Sequence, residues 1–142
     1  MRRGTSIALL AIGLAAAGCG DRKTLPLEPG GGPPSPDATF TRVQSEVFTV
    51  SCALSGCHAG SAPTAGMNLS AGVSYGNIVG VTSTERGDLH RIEPGDPERS
   101  YLVKKIRGDA DIVGSQMPLV GSITTAQRQL VIDWVRRGAP NG

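Results

Sequence analysis

The sequence predicts an all-α domain. Apolar residues recur at helical spacing in several segments, and capping residues bracket the clearest of them. No stretch alternates apolar and polar residues over the length of a strand.

The chain has 142 residues, which allows one domain plus extensions. Residues 1–18 read as a targeting segment. Arg2 and Arg3 supply positive charge, and the apolar run 7–17 is too short for a comfortable membrane span. Small residues, Ala16-Ala17-Gly18, stand directly before Cys19. That junction is similar to a bacterial lipobox, whose cysteine is acylated and becomes the first residue of the mature chain. Residues 19–38 then form a tether rich in proline and glycine, and residues 39–142 form the domain. Proline-rich chain extends by about 3.1 Å per residue, so the stretch 21–36 within it reaches roughly 50 Å. An exported chain meets an oxidising compartment, where disulfides are allowed. The formal charge of +2 is carried by Arg2 and Arg3, so the mature chain is formally neutral. It has no basic patch that would argue for nucleic acid.

The first helix is expected over 40–50. Phe40, Val43 and Val47 share a face, with Thr39 or Asp37 as N-cap. A short helix over 73–79 is expected next. Pro94-Gly95 marks a turn, and Asp96-Pro97 opens a helix as N-cap and first helical residue. Tyr101, Leu102 and Ile106 form its buried side. Lys104, Lys105 and Arg107 sit at the end the helix dipole favours for cations, and Gly108 stops it. The last helix is the best signalled. Thr124 and Gln127 form a capping-box pattern, and Leu130, Val131, Trp134 and Val135 give the apolar face. Gly138 follows as the cap. Aromatics make up only 4 % of the chain, so the core is thin, as a fold built around a flat apolar cofactor would be.

Chemistry concentrates in Cys52-Ala53-Leu54-Ser55-Gly56-Cys57-His58. Two thiols followed directly by an imidazole is the order that holds a c-type haem: the thiols bond the vinyl groups and the histidine ligates the iron. The usual spacing places two residues between the cysteines; here there are four. On a helix an i,i+5 pair lies roughly 140° apart. The intervening residues must therefore bulge, which Gly56 eases. Two other readings use the same residues. One is a Cys52–Cys57 disulfide beside an unrelated histidine. The other is a zinc site of Cys52, Cys57, His58 and His90.

A haem iron held by His58 has a second axial position. Met117, in a loop followed by Pro118, is the candidate thioether, with gap-filling in the core as its ordinary alternative. Met67 lies only nine residues past His58, too near to reach the opposite face. His90 sits among Arg86, Asp88 and Arg91 and reads as a surface histidine. The other N–H of the His58 ring should meet a backbone carbonyl, expected near Pro63. Arg91 or Tyr101 is a candidate partner for a propionate.

The order of helix, Cys…Cys-His, middle helix, Met-Pro loop and terminal helix resembles a small class I cytochrome c. It is most similar to the cytochrome c-like domains of planctomycete-type and related bacterial secreted proteins. The matching segments are Pro94-Gly95-Asp96-Pro97, Ser100-Tyr101-Leu102, Met117-Pro118, and Trp134 with Gly138-Ala139. The resemblance covers roughly residues 40–140. It implies one haem c bound covalently through Cys52 and Cys57, with His58 and Met117 as axial ligands. It also implies that the first and last helices cross near Phe40, Val43, Leu130 and Trp134.

The function expected from the sequence is one-electron transfer by a lipoprotein held by Cys19 on the outer side of a bacterial membrane, in the periplasm or at the cell surface. Its partners are redox proteins, and nothing in the sequence argues for an enzyme. The competing expectation is a haem-free lipoprotein, stapled by Cys52–Cys57, acting as a structural or binding module.

Overall fold

A computed structural model describes Met1 and residues 32–142. The expected signal peptide, the lipid site at Cys19 and most of the tether lie outside the described residues. The remainder is helical and contains no sheet, in line with an all-α chain. Its extended pairings are isolated bridges, Val79 with Ile92, Thr82 with His90, His90 with Ser100, and Glu93 with Asp96.

Folded structure begins earlier than residue 39. Ala38 is fully buried. The Ser35 N–H donates to Asp133 Oδ2 at 3.2 Å, and Arg137 Nη1 donates to the carbonyls of Ser35, Pro36 and Ala38. The end of the expected tether is thus fastened to the last helix.

Helix α1, Phe40–Val43, is capped by Thr39, whose hydroxyl accepts from the Arg42 N–H. It runs directly into a π-helix, Gln44–Cys52, where a continuous α-helix to residue 50 was expected. In this wider register each N–H bonds the carbonyl five residues back. The Ala53 N–H to Phe48 carbonyl bond, 2.7 Å, closes it. A buried polar knot accompanies the widening. Gln44 Nε2 donates to Thr49 Oγ1 and to the Leu69 carbonyl, each at 3.0 Å, while its Oε1 accepts from Ser74 Oγ. The knot ties the π-helix to the 69–74 segment and leaves no buried amide group unpaired.

Helix α2, Ser74–Ile78, lies within its expected range. The middle helix differs. Asp96 caps as expected, its Oδ1 accepting from the N–H groups of Glu98 and Arg99. The helix it opens is only a 3-10 turn, Pro97–Arg99. Ser100 then adopts extended angles before α3, Tyr101–Arg107. The break has a tertiary cause. Ser100 is fully buried, its Oγ bonds the Glu93 N–H and the Asp96 carbonyl, and its backbone bridges His90. Gly108 ends α3 with φ +78°.

Helix α4, Thr125–Arg136, forms as expected. Thr124 and Gln127 make the reciprocal capping box. At the other end the Gly138 N–H bonds the Val135 carbonyl and the Ala139 N–H bonds the Trp134 carbonyl, a Schellman closure. Phe40 of α1 packs on Trp134 of α4, ring centroids 5.4 Å apart, and edge-on against Tyr75 of α2 at 5.1 Å. Val43, Leu130, Val131, Val135, Leu102, Val103 and Ile106 complete one core. The meeting of the first and last helices is the frame on which the site is built.

Candidate functional site

The π-helix delivers Cys52 to the wall of an apolar cleft. Val47 and Phe48 line the same cleft, with Met67, Leu69, Leu102, Ile106 and Val131. It encloses about 720 Å³ of non-atom space, its open mouth included. A second cavity, lined by Cys57, Gly56, Leu54, Pro118, Leu119 and Val120, adjoins it. Cys52, His58, Thr64 and Met117 line both cavities. Four side chains singled out in the sequence, Cys52, Cys57, His58 and Met117, therefore meet around one space.

The Cys52–Cys57 segment bulges from the helix end. Ala53 leaves helical angles, and Gly56 takes φ +78°, a left-handed conformation that favours glycine. The loop closes on itself: the Cys57 N–H bonds the Leu54 carbonyl at 2.9 Å and the His58 N–H bonds the Cys52 carbonyl at 3.2 Å. Both cysteines are free thiols and are partly buried. Burial, with the neighbouring Cys57 adding to it, pushes the Cys52 thiol up to about 11. Cys52 is therefore a protonated thiol at neutral pH.

His58 is buried, 9 % exposed. Its Nδ1 lies 3.2 Å from the Met67 carbonyl oxygen. A carbonyl only accepts, so Nδ1 donates here, and Nε2 stands outside the bond. The carbonyl belongs to Met67 and not to the stretch beside Pro63, because the chain turns back at Thr64–Gly66 before it passes the ring. The Leu69 N–H to His58 carbonyl bond, 2.8 Å, and the Thr64 N–H to Cys57 carbonyl bond, 2.8 Å, fasten both ends of this return.

Met117 is set by α3. Its N–H donates to the Lys105 carbonyl at 2.9 Å, and Gln116 Nε2 donates to the Ile106 carbonyl at 3.0 Å. The Met117-Pro118 peptide bond is cis.

One side of the cleft is polar. Arg91, 8 % exposed, donates from Nη1 to the Gly66 and Asn77 carbonyls and from Nη2 to the Ala65 carbonyl. Lys105, in the last turn of α3 as expected, is 8 % exposed. Its Nζ donates to the Val113 carbonyl at 2.7 Å and pairs with Glu85 at 3.4 Å. The Tyr101 hydroxyl donates to Glu85 Oε2 and accepts from the Val113 N–H. Burial raises its pKa above the usual phenol value. Sequence reasoning missed Lys105 and Glu85. The one local signal was Lys105 beside the buried-face residue Ile106.

His90 does not join the cysteines. It bridges Thr82 and Ser100, and its Nδ1 lies 2.7 Å from Glu93 Oε2, an ion-pair distance without hydrogen-bond alignment. Its side chain is 39 % exposed, at the surface as expected, although Nδ1 itself is covered. Among the described residues no group of three or more histidine, cysteine or acidic side chains is gathered to hold a metal, so the four-ligand zinc arrangement is not formed.

Comparison with protein families, curated proteins and solved structures finds no match to this chain.

Proposed function

We propose that this chain is a cytochrome c-like, haem c-binding electron carrier, attached to haem through Cys52 and Cys57 and using His58 and Met117 as axial ligands. The observation that carries the reading is the convergence of those four side chains on the second cavity, from which Cys52, His58 and Met117 also reach the adjoining apolar cleft. Each contributes in the form that haem c needs. His58 turns its Nδ1 edge to the Met67 carbonyl, which leaves Nε2 outside that bond. Met117 offers a thioether on a loop fixed by Lys105 and Ile106. Met67 is tied by its carbonyl to the Nδ1 edge of His58, which favours Met117 as the ligand from the other side. Cys52 and Cys57 offer free thiols on a closed bulge whose residues line the cleft mouth.

When bound, the haem iron supplies a reversible one-electron couple, and a histidine–methionine pair raises its potential. The protein supplies the surroundings. Phe48, Leu69, Leu102, Ile106 and Val131 exclude water. Arg91 has two N–H groups beyond its three carbonyl bonds, enough to receive one propionate. Tyr101 is the weaker candidate, since Glu85 and Val113 already occupy its hydroxyl. Leu54, Leu119 and Val120 are 40 %, 68 % and 79 % exposed at the mouth, an apolar rim suited to a redox partner protein. Attachment through Cys19 to the outer side of a bacterial membrane belongs to the same proposal.

A reductive titration of purified protein tests it. The expected result is a reversible single-electron step with the spectrum of a six-coordinate haem. A colourless protein that takes up no electron, or takes up two with opening of a Cys52–Cys57 bond, would replace it with the haem-free lipoprotein.

A further inference from the structure

The turn at Thr64–Gly66 is strained. Ala65 has φ +53° and ψ +23°, left-handed angles that cost a residue with a Cβ on the order of 1 kcal/mol, and Gly66 follows at φ +63°. Two left-handed residues in succession turn both carbonyls the same way, and both meet the Arg91 guanidinium, at 3.1 Å from Ala65 and 3.3 Å from Gly66. Thr84 Oγ1 adds a second donor to the Ala65 carbonyl at 3.2 Å. The next residue is Met67, whose carbonyl receives the His58 Nδ1 proton. Arg91 is held in turn by the Asn77 carbonyl at the end of α2, 2.8 Å away. A rigid element, a guanidinium fork, a strained turn and the histidine ring thus stand in series.

Arg91 is an expensive residue to place here. It is buried against the cleft wall, and burial is the sole influence on its pKa, with no carboxylate field to offset it. A planar fork that fixes two adjacent carbonyls at once requires arginine, since lysine presents a point charge.

We propose that Arg91 is a positioning residue for His58: it locks the Ala65–Gly66 turn so that the Met67 carbonyl meets His58 Nδ1–H, and thereby sets the donor strength of Nε2. The consequence for potential rests on the reading of His58 as the iron ligand. A firm Nδ1–H bond makes the ring a stronger donor and favours the oxidised iron, lowering the potential. The Arg91 charge acts in the opposite direction, favouring the reduced iron. Substitutions separate the two effects. Arg91→Lys keeps the charge and loses the fork, so the potential rises. Arg91→Met removes both, so the potential of Arg91→Met falls below that of Arg91→Lys.

The test is made on the protein as purified. NMR reads the solvent exchange of the His58 Nδ1 proton in wild type, Arg91→Lys and Thr84→Val, and the potential is measured wherever haem is present. The expected result is exchange about fivefold faster in Arg91→Lys, the equivalent of one hydrogen bond, with a raised potential. Thr84→Val should show a smaller change of the same sign. If Arg91→Lys fails to fold, judged by the Trp134 indole signal, Thr84→Val decides. Unchanged Nδ1 exchange in the folded variants overturns the proposal. A colourless protein overturns the haem reading alone, because Nδ1 exchange still reads the Arg91 clamp.

Discussion

Phe40 and Trp134 meet with ring centroids 5.4 Å apart, joining the residue that opens the first helix to the residue at the heart of the last. The Trp134 indole N–H also donates to the Pro140 carbonyl at 2.9 Å, so the C-terminal segment closes over the pair. This contact fixes the angle at which the chain leaves α1, and the π-helix then carries Cys52 to the cleft.

The Cys52 thiol gives a pH signature that depends on its covalent state. Its folded pKa of about 11 lies above the usual thiol value of 9.0. Between those values the unfolded chain has lost the proton and the folded chain keeps it. Haem-free protein therefore loses stability as pH rises from 9 to 11, by about 2–3 kcal/mol from this group. Urea unfolding across that range should show the loss in wild type and not in Cys52→Ala. Protein with Cys52 in a thioether bond should lack it too.

Met117→Ala should remove the sulfur-to-iron charge-transfer band of the oxidised protein and lower the potential. The fold should persist, since Met117 is only partly buried and its loop is held by backbone bonds. Absorption spectra of the two proteins check this. An unchanged band would show that another group is the ligand.

Gly108→Ala probes the support of the Met117 loop. Gly108 has φ +78°, and an added Cβ would stand 2.7 Å from the Gln116 side chain. Gln116 must swing away and release the Ile106 carbonyl. The expected outcome is a loss of about 1–2 kcal/mol from the strained backbone, read by urea unfolding. A weaker methionine band than wild type should accompany it.

Arg107 holds Glu98 Oε2 at 2.8 Å and depresses that carboxyl below its usual range. The depressed carboxylate contributes stability above about pH 4.5 that is lost as pH falls through the lower folded value. NMR titration should place Glu98 below 4.5 in wild type and bring it back up in Arg107→Gln. Glu98 is 70 % exposed, so the effect on overall stability is small.

How much of this was legible follows from what each feature depends on. The ends of α4 were readable because Thr124, Gln127 and Gly138 act within a few residues of themselves. The bulge was readable because i,i+5 thiols cannot share a helical face. The Ser100 break was not, because the partner that opposes the helix is His90, ten residues away. The π-helix depends on Gln44 reaching Leu69 and Ser74, a contact with no local trace. Arg91 read from the sequence as a candidate propionate partner, and only the folded chain reveals that its present partners are backbone carbonyls from two distant segments.

The central claim is covalent haem at Cys52 and Cys57. Its most direct measurement is a pyridine haemochrome spectrum, with a haem-stained denaturing gel, on protein made alongside haem-maturation machinery. The account predicts a c-type α-band and haem that stays with the polypeptide on the gel, lost when both cysteines are replaced. An intermediate band would reduce the attachment to one thioether. Protein without haem, or haem that leaves on denaturation, would contradict the account.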